Sequence, residues 1–290
     1  MIELPPLPID LPWETPAYLL LDGVSVPDLA QQLFQWDNQA YSLYQSTRWQ
    51  ELSDISPYLI ELKGASDPLL AYFREHAAEE WGYLLFSDAD AHLLWGHWRH
   101  LLSVKHPSGI EVMPRIADPA VMHQLFALAE KKGSAKWFGP VSHVCLPDGV
   151  GINWHQHICP RPAIAEPKTY RLTDDELTAL GEVEFRNFIS DLNEHLHTYF
   201  ADFMATFASE DRRPYAQALA DDAYQKGFAS EQEITLYANV FGYLAGEPVT
   251  NHPDIVQLLA QSTSEAPLKR VERAAELAER RAADRQGSQS

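Results

Sequence analysis

EVMPRIADPAVMHQLF, residues 111–126, changes character in its middle. Val112 and Ile116 are apolar enough for a buried strand, and Arg115 stands between them. Asp118 is a natural helix N-cap. Pro119 at the first helical position lacks only an N–H that would have been orphaned anyway. Val121, Met122, Leu125, Phe126 and Leu128 then recur at helical spacing. A strand-like run feeding directly into a capped helix predicts a domain in which sheet and helices alternate.

Upstream the same alternation repeats. AYLLLDG (17–23) reads as a buried strand ended by Asp22-Gly23, with a helix opening near Pro27-Asp28. PYLIEL (57–62) predicts a second strand and a helix near 67–79. YLLFSD (83–88) predicts a third, followed by a helix through Leu93, Leu94 and Trp98. LLSVKHPSGIEVMPRI gives two strands joined at Pro107-Ser108-Gly109, and WFGPVSHVCLP another. Strands alternating with helices, plus a hairpin, predict a mixed-sheet α/β domain over 17–146, preceded by an extended proline-rich arm over 1–16.

Composition shifts at LPDGVGINWHQHICPRPAIAEPK, whose prolines mark 147–169 as a linker or hairpin. Beyond it the pattern is helical, so the fold class is α+β with two domains, the second all-α over 170–285. Thr173-Asp174-Asp175-Glu176 is a capping-box sequence, and Leu177, Leu180, Phe188, Leu192, Leu196, Phe203 and Phe207 form one apolar stripe. If unbroken, that stripe describes a helix of roughly 34 residues, about 50 Å long. Ser230 and Glu233 form a second capping box, Gly246 and Pro248 close that helix, and Pro253 opens another. EAPLKRVERAAELAERRAADR reads as a solvated surface helix running into a disordered tail at 286–290.

The net charge of −19 is carried by both halves of the chain. Such a surface repels phosphate backbones and anionic lipid, which argues against nucleic-acid and membrane partners. The first residues have no basic region followed by an apolar run, so no signal peptide is expected. Two cysteines, Cys145 and Cys159, suggest a reduced, cytoplasmic protein. Pairing 141–147 with 151–159 around Pro147-Asp148-Gly149 would put Cys145 opposite roughly residue 152, so no disulfide is expected.

Candidate chemistry is sparse. On a strand, His155, His157 and Cys159 share one face and are zinc-type ligands, yet no fourth ligand is near. The expectation is no metal and no cofactor. His195 and His197 lie two apart on a helix and cannot share a face, while His97 and His100 could but are flanked by Trp95 and Trp98. GxSxG, HExxH, P-loop and GxGxxG are all absent, so no catalytic residues are assigned. Arg115 can bridge to Asp118 or Asp22 as a structural ion pair, or bind an anion. The first reading is preferred, because no second basic residue or glycine-rich loop stands beside it.

Five segments in order, YLLLDG, SLYQSTRWQELSDISPYLIEL, HWRHLLSV, PRIADPAVM and WFGPV, resemble the adaptor/chaperone (Tap or Tec) family of type VI secretion, first catalogued as a domain of unknown function. The resemblance covers about 17–145. One departure is Ala120, where the family's Asp-Pro is often followed by arginine. The resemblance implies a non-enzymatic cytoplasmic protein that binds a toxic effector and promotes its loading onto the secretion spike. Its partners would be that effector and the spike protein. It also implies that Asp22, Pro57, Arg99, Arg115, Asp118 and Pro119 are scaffold. Two other classes remain: an immunity protein neutralising a toxin, and a metal-dependent enzyme built on His155, His157 and Cys159. Beyond the resemblance, Phe185, Phe188, Phe200, Phe203, Tyr237 and Phe241 exceed what a small bundle needs inside, and are candidates for cargo binding.

Overall fold

A computed structural model describes residues 3–162, 169–260 and 265–287. The chain divides into two compact units, Met1–Val183 and Glu184–Ser290.

The first unit is built on an antiparallel sheet. Strands β1 (Ala17–Leu21), β2 (Ala40–Ser42), β3 (Tyr58–Glu61), β4 (Gly82–Phe86), β7 (His143–Asp148) and β8 (Asn153–Ile158) lie in the order β2-β3-β1-β4-β7-β8. A separate two-strand ribbon joins β5 (Val104–Lys105) to β6 (Glu111–Val112), as the Pro-Ser-Gly signal predicts. Every strand ladder is antiparallel, so the expectation of a mixed sheet is corrected. β3 and β4 do run parallel to each other across helix α2 (Pro68–Glu75), but β1 is inserted between them and pairs with both. Sequence order shows the crossover and not the inserted strand.

Strand residues alternate between two cores. Tyr18, Leu20, Leu59, Tyr83, Leu85, Val144 and Leu146 face α3 (Ala91–Leu101) and α4 (Pro119–Lys131). Leu19, Leu21, Ile60, Leu84, Phe86 and Cys145 face α1 (Leu29–Trp36), α2 and the N-terminal arm, whose Leu11 is buried. Both faces are covered, which is why these strands read as unbroken apolar runs. Each fully buried Leu or Phe contributes about 1.5–3 kcal/mol.

β8 pairs with β7 over the full length of both, so Pro147, Asp148 and Asn153–Ile158 belong to the sheet. Cys145 lies opposite Gln156 rather than residue 152, because the connection is a four-residue loop in which Asp148 Oδ1 accepts the Val150 and Gly151 N–H groups. Both cysteines are free, and they pack into the cores on opposite faces of the sheet. Of the linker or hairpin expected over 147–169, the part up to Ile158 is a hairpin, and 163–168 lie outside the described residues.

The division between units falls inside α5 (Asp174–Tyr199), some way past 147–169. Leu172, Leu177, Leu180 and Val183 pack into the first unit's core. Glu176 fixes this start. It is buried, completes the expected capping box with Thr173, and accepts from Trp137 Nε1 (2.8 Å) and the Tyr170 hydroxyl.

The second unit is helical: the rest of α5, α6 (Ala201–Met204), α7 (Ser209–Gln225), α8 (Glu231–Leu244), α9 (Pro253–Leu259) and α10 (Pro267–Gly287). The expected single helix through Phe207 is corrected, since it breaks at Phe200 (φ −131°, ψ 44°). The Phe200 ring lies against Gly242, where a β-carbon would come within 2.6 Å of it. The apolar stripe continues past the break at Phe203 and Met204. Ser230 and Glu233 form the expected capping box on α8.

α10 is not a solvated surface helix. Val271, Ala274, Ala275 and Ala278 are buried in the bundle core. Small side chains among many charges hide that face from a hydropathy reading. Arg281 pairs with Asp254 (2.6 Å) and Arg285 with Glu247 (2.9 Å). The expected tail over 286–290 begins inside α10, which runs to Gly287, and 288–290 lie outside the described residues.

Candidate functional site

Three loops meet at the end of the sheet where β1 terminates. Gly23 packs against the backbone of Ile55 and Ser56, so closely that a β-carbon would stand 2.2 Å from the Ser56 carbonyl oxygen. Only glycine permits that approach. Ser56 is fully buried; its hydroxyl donates to Pro57 O (2.8 Å) and accepts the Tyr44 N–H (3.1 Å). Pro57 O also accepts the Leu43 N–H.

Arg115 closes the third side. Its Nη2 lies 3.4 Å from Asp22 Oδ2 and its Nη1 3.3 Å from Asp118 Oδ2, so it bridges both carboxylates. Both have other donors. Asp22 accepts the Val24 N–H (3.2 Å) and the Ser25 hydroxyl (2.9 Å), and Asp118 caps α4 through the Ala120 and Val121 N–H groups. Pro119 is the first residue of α4, as its position after an N-cap aspartate predicts. The guanidinium is 58% exposed while its two partners are nearly buried. The bridge is therefore a clasp at the water boundary, not a buried ion pair.

The carried-over residues thus separate. Asp22, Pro57, Arg115, Asp118 and Pro119 converge through these contacts. Arg99 stands apart, stacked over Trp95 (4.3 Å) and donating to Ser46 O (3.2 Å). Around the clasp Val24, Leu52, Ile55 and Met113 expose apolar surface, a rim that sequence reasoning missed because they come from three separate segments.

His97, on α3, is buried with Nε2 3.0 Å from Trp137 O, and burial lowers its pKa to about 4. Its ring touches Trp98, in keeping with the packing role expected of it. Burial raises the Cys145 thiol to about 12, so it is not a nucleophile near neutral pH.

His155 and His157 share a face, as a strand requires, and that face looks onto α4. There His123 stacks on His155 with ring centroids 3.7 Å apart. His157 Nδ1 lies 2.7 Å from Glu130 Oε2. Cys159 packs into the core beside them. Among the described residues no group of three or more His, Cys, Asp or Glu has metal-holding geometry. His123 has no local sequence signal; only the packing of α4 on β8 brings it to the pair.

In the second unit, Phe188, Phe203 and Tyr237 are buried in the bundle core, with Phe200 and Phe241 partly buried against it. Tyr237 also donates to Asp222, which Lys226 neutralises. Of the six cargo candidates only Phe185 is exposed, and the other exposed aromatics in this unit are Tyr199 and Tyr224. No described helix is long and apolar enough to cross a membrane.

Residues 17–134 match the model of a domain of unknown function, DUF4123. That match lies wholly within the first unit. All six residues carried over from the sequence motifs lie inside that match, and the resemblance drawn over 17–145 stands on the same stretch. The whole chain is similar to "Accessory protein VasW" of Vibrio cholerae serotype O1 (strain ATCC 39315 / El Tor Inaba N16961). The two are 28% identical over 269 residues, covering 90% of this chain and 87% of that protein. That similarity extends well past the domain match. No solved structure matches the chain.

Proposed function

We propose that this protein is a non-enzymatic adaptor of type VI secretion, which holds a toxic effector in the cytoplasm and promotes its loading onto the spike. The observation that carries the reading is the DUF4123 domain together with similarity to an accessory protein over 90% of the chain. The net charge of −19 suits a basic protein partner better than nucleic acid or anionic lipid. In this reading the first unit supplies docking through its apolar rim, and the clasp is the scaffold that holds the rim's loops in place. The helical unit selects the cargo, and Phe185, Tyr199 and Tyr224 supply its exposed aromatic surface.

The test is co-purification of the tagged protein with neighbouring gene products, identified by mass spectrometry, and deletion of its gene. An adaptor co-purifies with one effector, and its loss stops delivery of that effector while others are still secreted. If deletion instead leaves delivery intact and makes the cell sensitive to the toxin, the protein is an immunity factor. Exchange of 184–290 for the equivalent part of a relative serving another effector tests the division of labour. A folded chimera that keeps the original cargo with unchanged affinity assigns selection to the first unit.

A further inference from the structure

Residues 4–13 of the N-terminal arm, LPPLPIDLPW, lie across β8 on the face of the sheet opposite α4. Leu4 and Leu11 are buried and Leu7 packs partly against the core, while Pro5 and Pro6 stay exposed. Leu4, Leu7 and Asp10 are each three residues apart, the period of a polyproline II helix, so they fall on one side of an extended chain.

Two side chains of β8 read this segment. Trp154 Nε1 donates to Pro5 O (2.8 Å), and Gln156 Nε2 donates to Asp10 Oδ1 (3.1 Å). Alternate strand positions share a face, which is why both reach the arm. Phe73 of α2 lies beside the Trp154 ring, with centroids 6.1 Å apart. An aromatic floor with a donor aimed at a main-chain carbonyl suits a proline-rich chain, whose carbonyls have no internal partners. The hold on the arm is slight. Pro5, Pro6, Pro8 and Pro12 carry no N–H, and among the described residues no main-chain N–H of 4–13 bonds to the rest of the unit. A segment held by two side-chain bonds and a few leucines opens locally, without the strands beneath it.

We propose that this face of β8 is a docking groove for an extended proline-rich segment of a partner protein, closed in this structure by the chain's own arm. The arm displays the chemistry the groove takes: two apolar residues three apart with prolines between them, then an acceptor three residues further on. A preformed polyproline segment loses little entropy on docking, so it can replace the tethered arm. The arm of a second copy has the same shape, but two chains of net charge −19 repel each other. The arm and β8 both lie outside the 17–134 match, so the groove stands whether or not the protein is an adaptor.

The test is fluorescence anisotropy of a fluorescein-labelled peptide of residues 3–14, titrated with the full wild-type chain and with Leu4→Ser/Leu7→Ser. A tethered arm competes at an effective concentration of about a millimolar. The double variant, whose arm competes less, should bind the peptide about tenfold or more tightly than the wild type does. Adding Trp154→Phe removes the indole donor and should weaken that binding about threefold or more. Equal affinity for wild type and double variant, or no loss with Trp154→Phe, overturns the groove, as does equal binding of a peptide with the same residues scrambled. Wild-type dimers that dissociate in the double variant would give the groove to a second copy and overturn the assignment to a partner. If the double variant does not fold, photocrosslinking decides. The peptide with benzoylphenylalanine in place of Leu7, in excess over the wild type, should label β8 or α2, and labelling elsewhere or nowhere overturns the groove.

Discussion

The two units solve the problem of a defined structure differently. The first builds its joints from buried polar groups with oriented partners: Ser56 ties two loops, Asp118 caps α4, and Glu176 gathers three donors at the start of α5. The second fills its core with Phe, Leu and Ala, and confines most of its charge pairing to helix ends, as with Arg281 and Arg285. Oriented hydrogen bonds fix loop geometry, whereas apolar packing needs volume and pattern and tolerates exchange of side chains. The unit with buried polar joints is also the one that carries the domain match. Precise loops are what a shared docking module needs, and a core defined by volume leaves its surface free to vary.

The largest expected effect is at Glu176. Glu176→Ala leaves Trp137 Nε1, the Tyr170 hydroxyl and the Thr173 N–H without their acceptor, and should destabilise the first unit by about 4 kcal/mol in chemical denaturation. A loss under 1 kcal/mol would mean that this unit, too, is held by packing alone. Next comes His97. A folded pKa of about 4 against an unfolded 6.5 means that the folded state withholds a proton between those values. Its contribution is intact above pH 6.5 and falls by roughly 3 kcal/mol as pH drops to 4. Replacing His97 with Gln should flatten that part of the stability-versus-pH curve.

In the bundle the corresponding polar deletion should cost less. Tyr237→Phe removes the hydroxyl that donates to Asp222 but keeps the ring in the core, and Lys226 still neutralises the carboxylate. A loss of about 1–1.5 kcal/mol is expected, read as a shift in denaturation midpoint without a change in slope. A loss as large as that at Glu176 would erase the contrast between the units. The smallest effect is at Arg115. Its guanidinium is 58% exposed and both partners keep other donors, so Arg115→Ala should cost about 1 kcal/mol or less. Effector and spike binding, measured by titration calorimetry, should then be unchanged. A stable variant that no longer binds would turn the clasp from scaffold into contact.

Several features were legible in sequence because their causes are local. Asp118-Pro119 announced α4, Ser230 and Glu233 announced α8, and Pro107-Ser108-Gly109 announced the β5–β6 ribbon. Each depends on atoms within one turn of chain. Helical spacing revealed α5, but its break at Phe200 did not show, since that depends on the ring meeting Gly242 about forty residues later. The face of α10 stayed hidden because alanine carries little hydropathy signal, although a close helix contact requires it.

The sequence by itself determined the two-part α+β architecture, the capped helix starts, the absence of standard catalytic motifs and the resemblance over 17–145. Periodicity, capping chemistry and motif order are all written along the chain. Tertiary structure alone decided that β1 inserts between β3 and β4, that α5 begins in one compact unit and ends in the other, and that Arg115 bridges two carboxylates at the water boundary. It also brought His123 to His155 and His157. These depend on which distant surfaces bury one another, and that choice is made by the free energy of the whole packed unit rather than by any window of its residues.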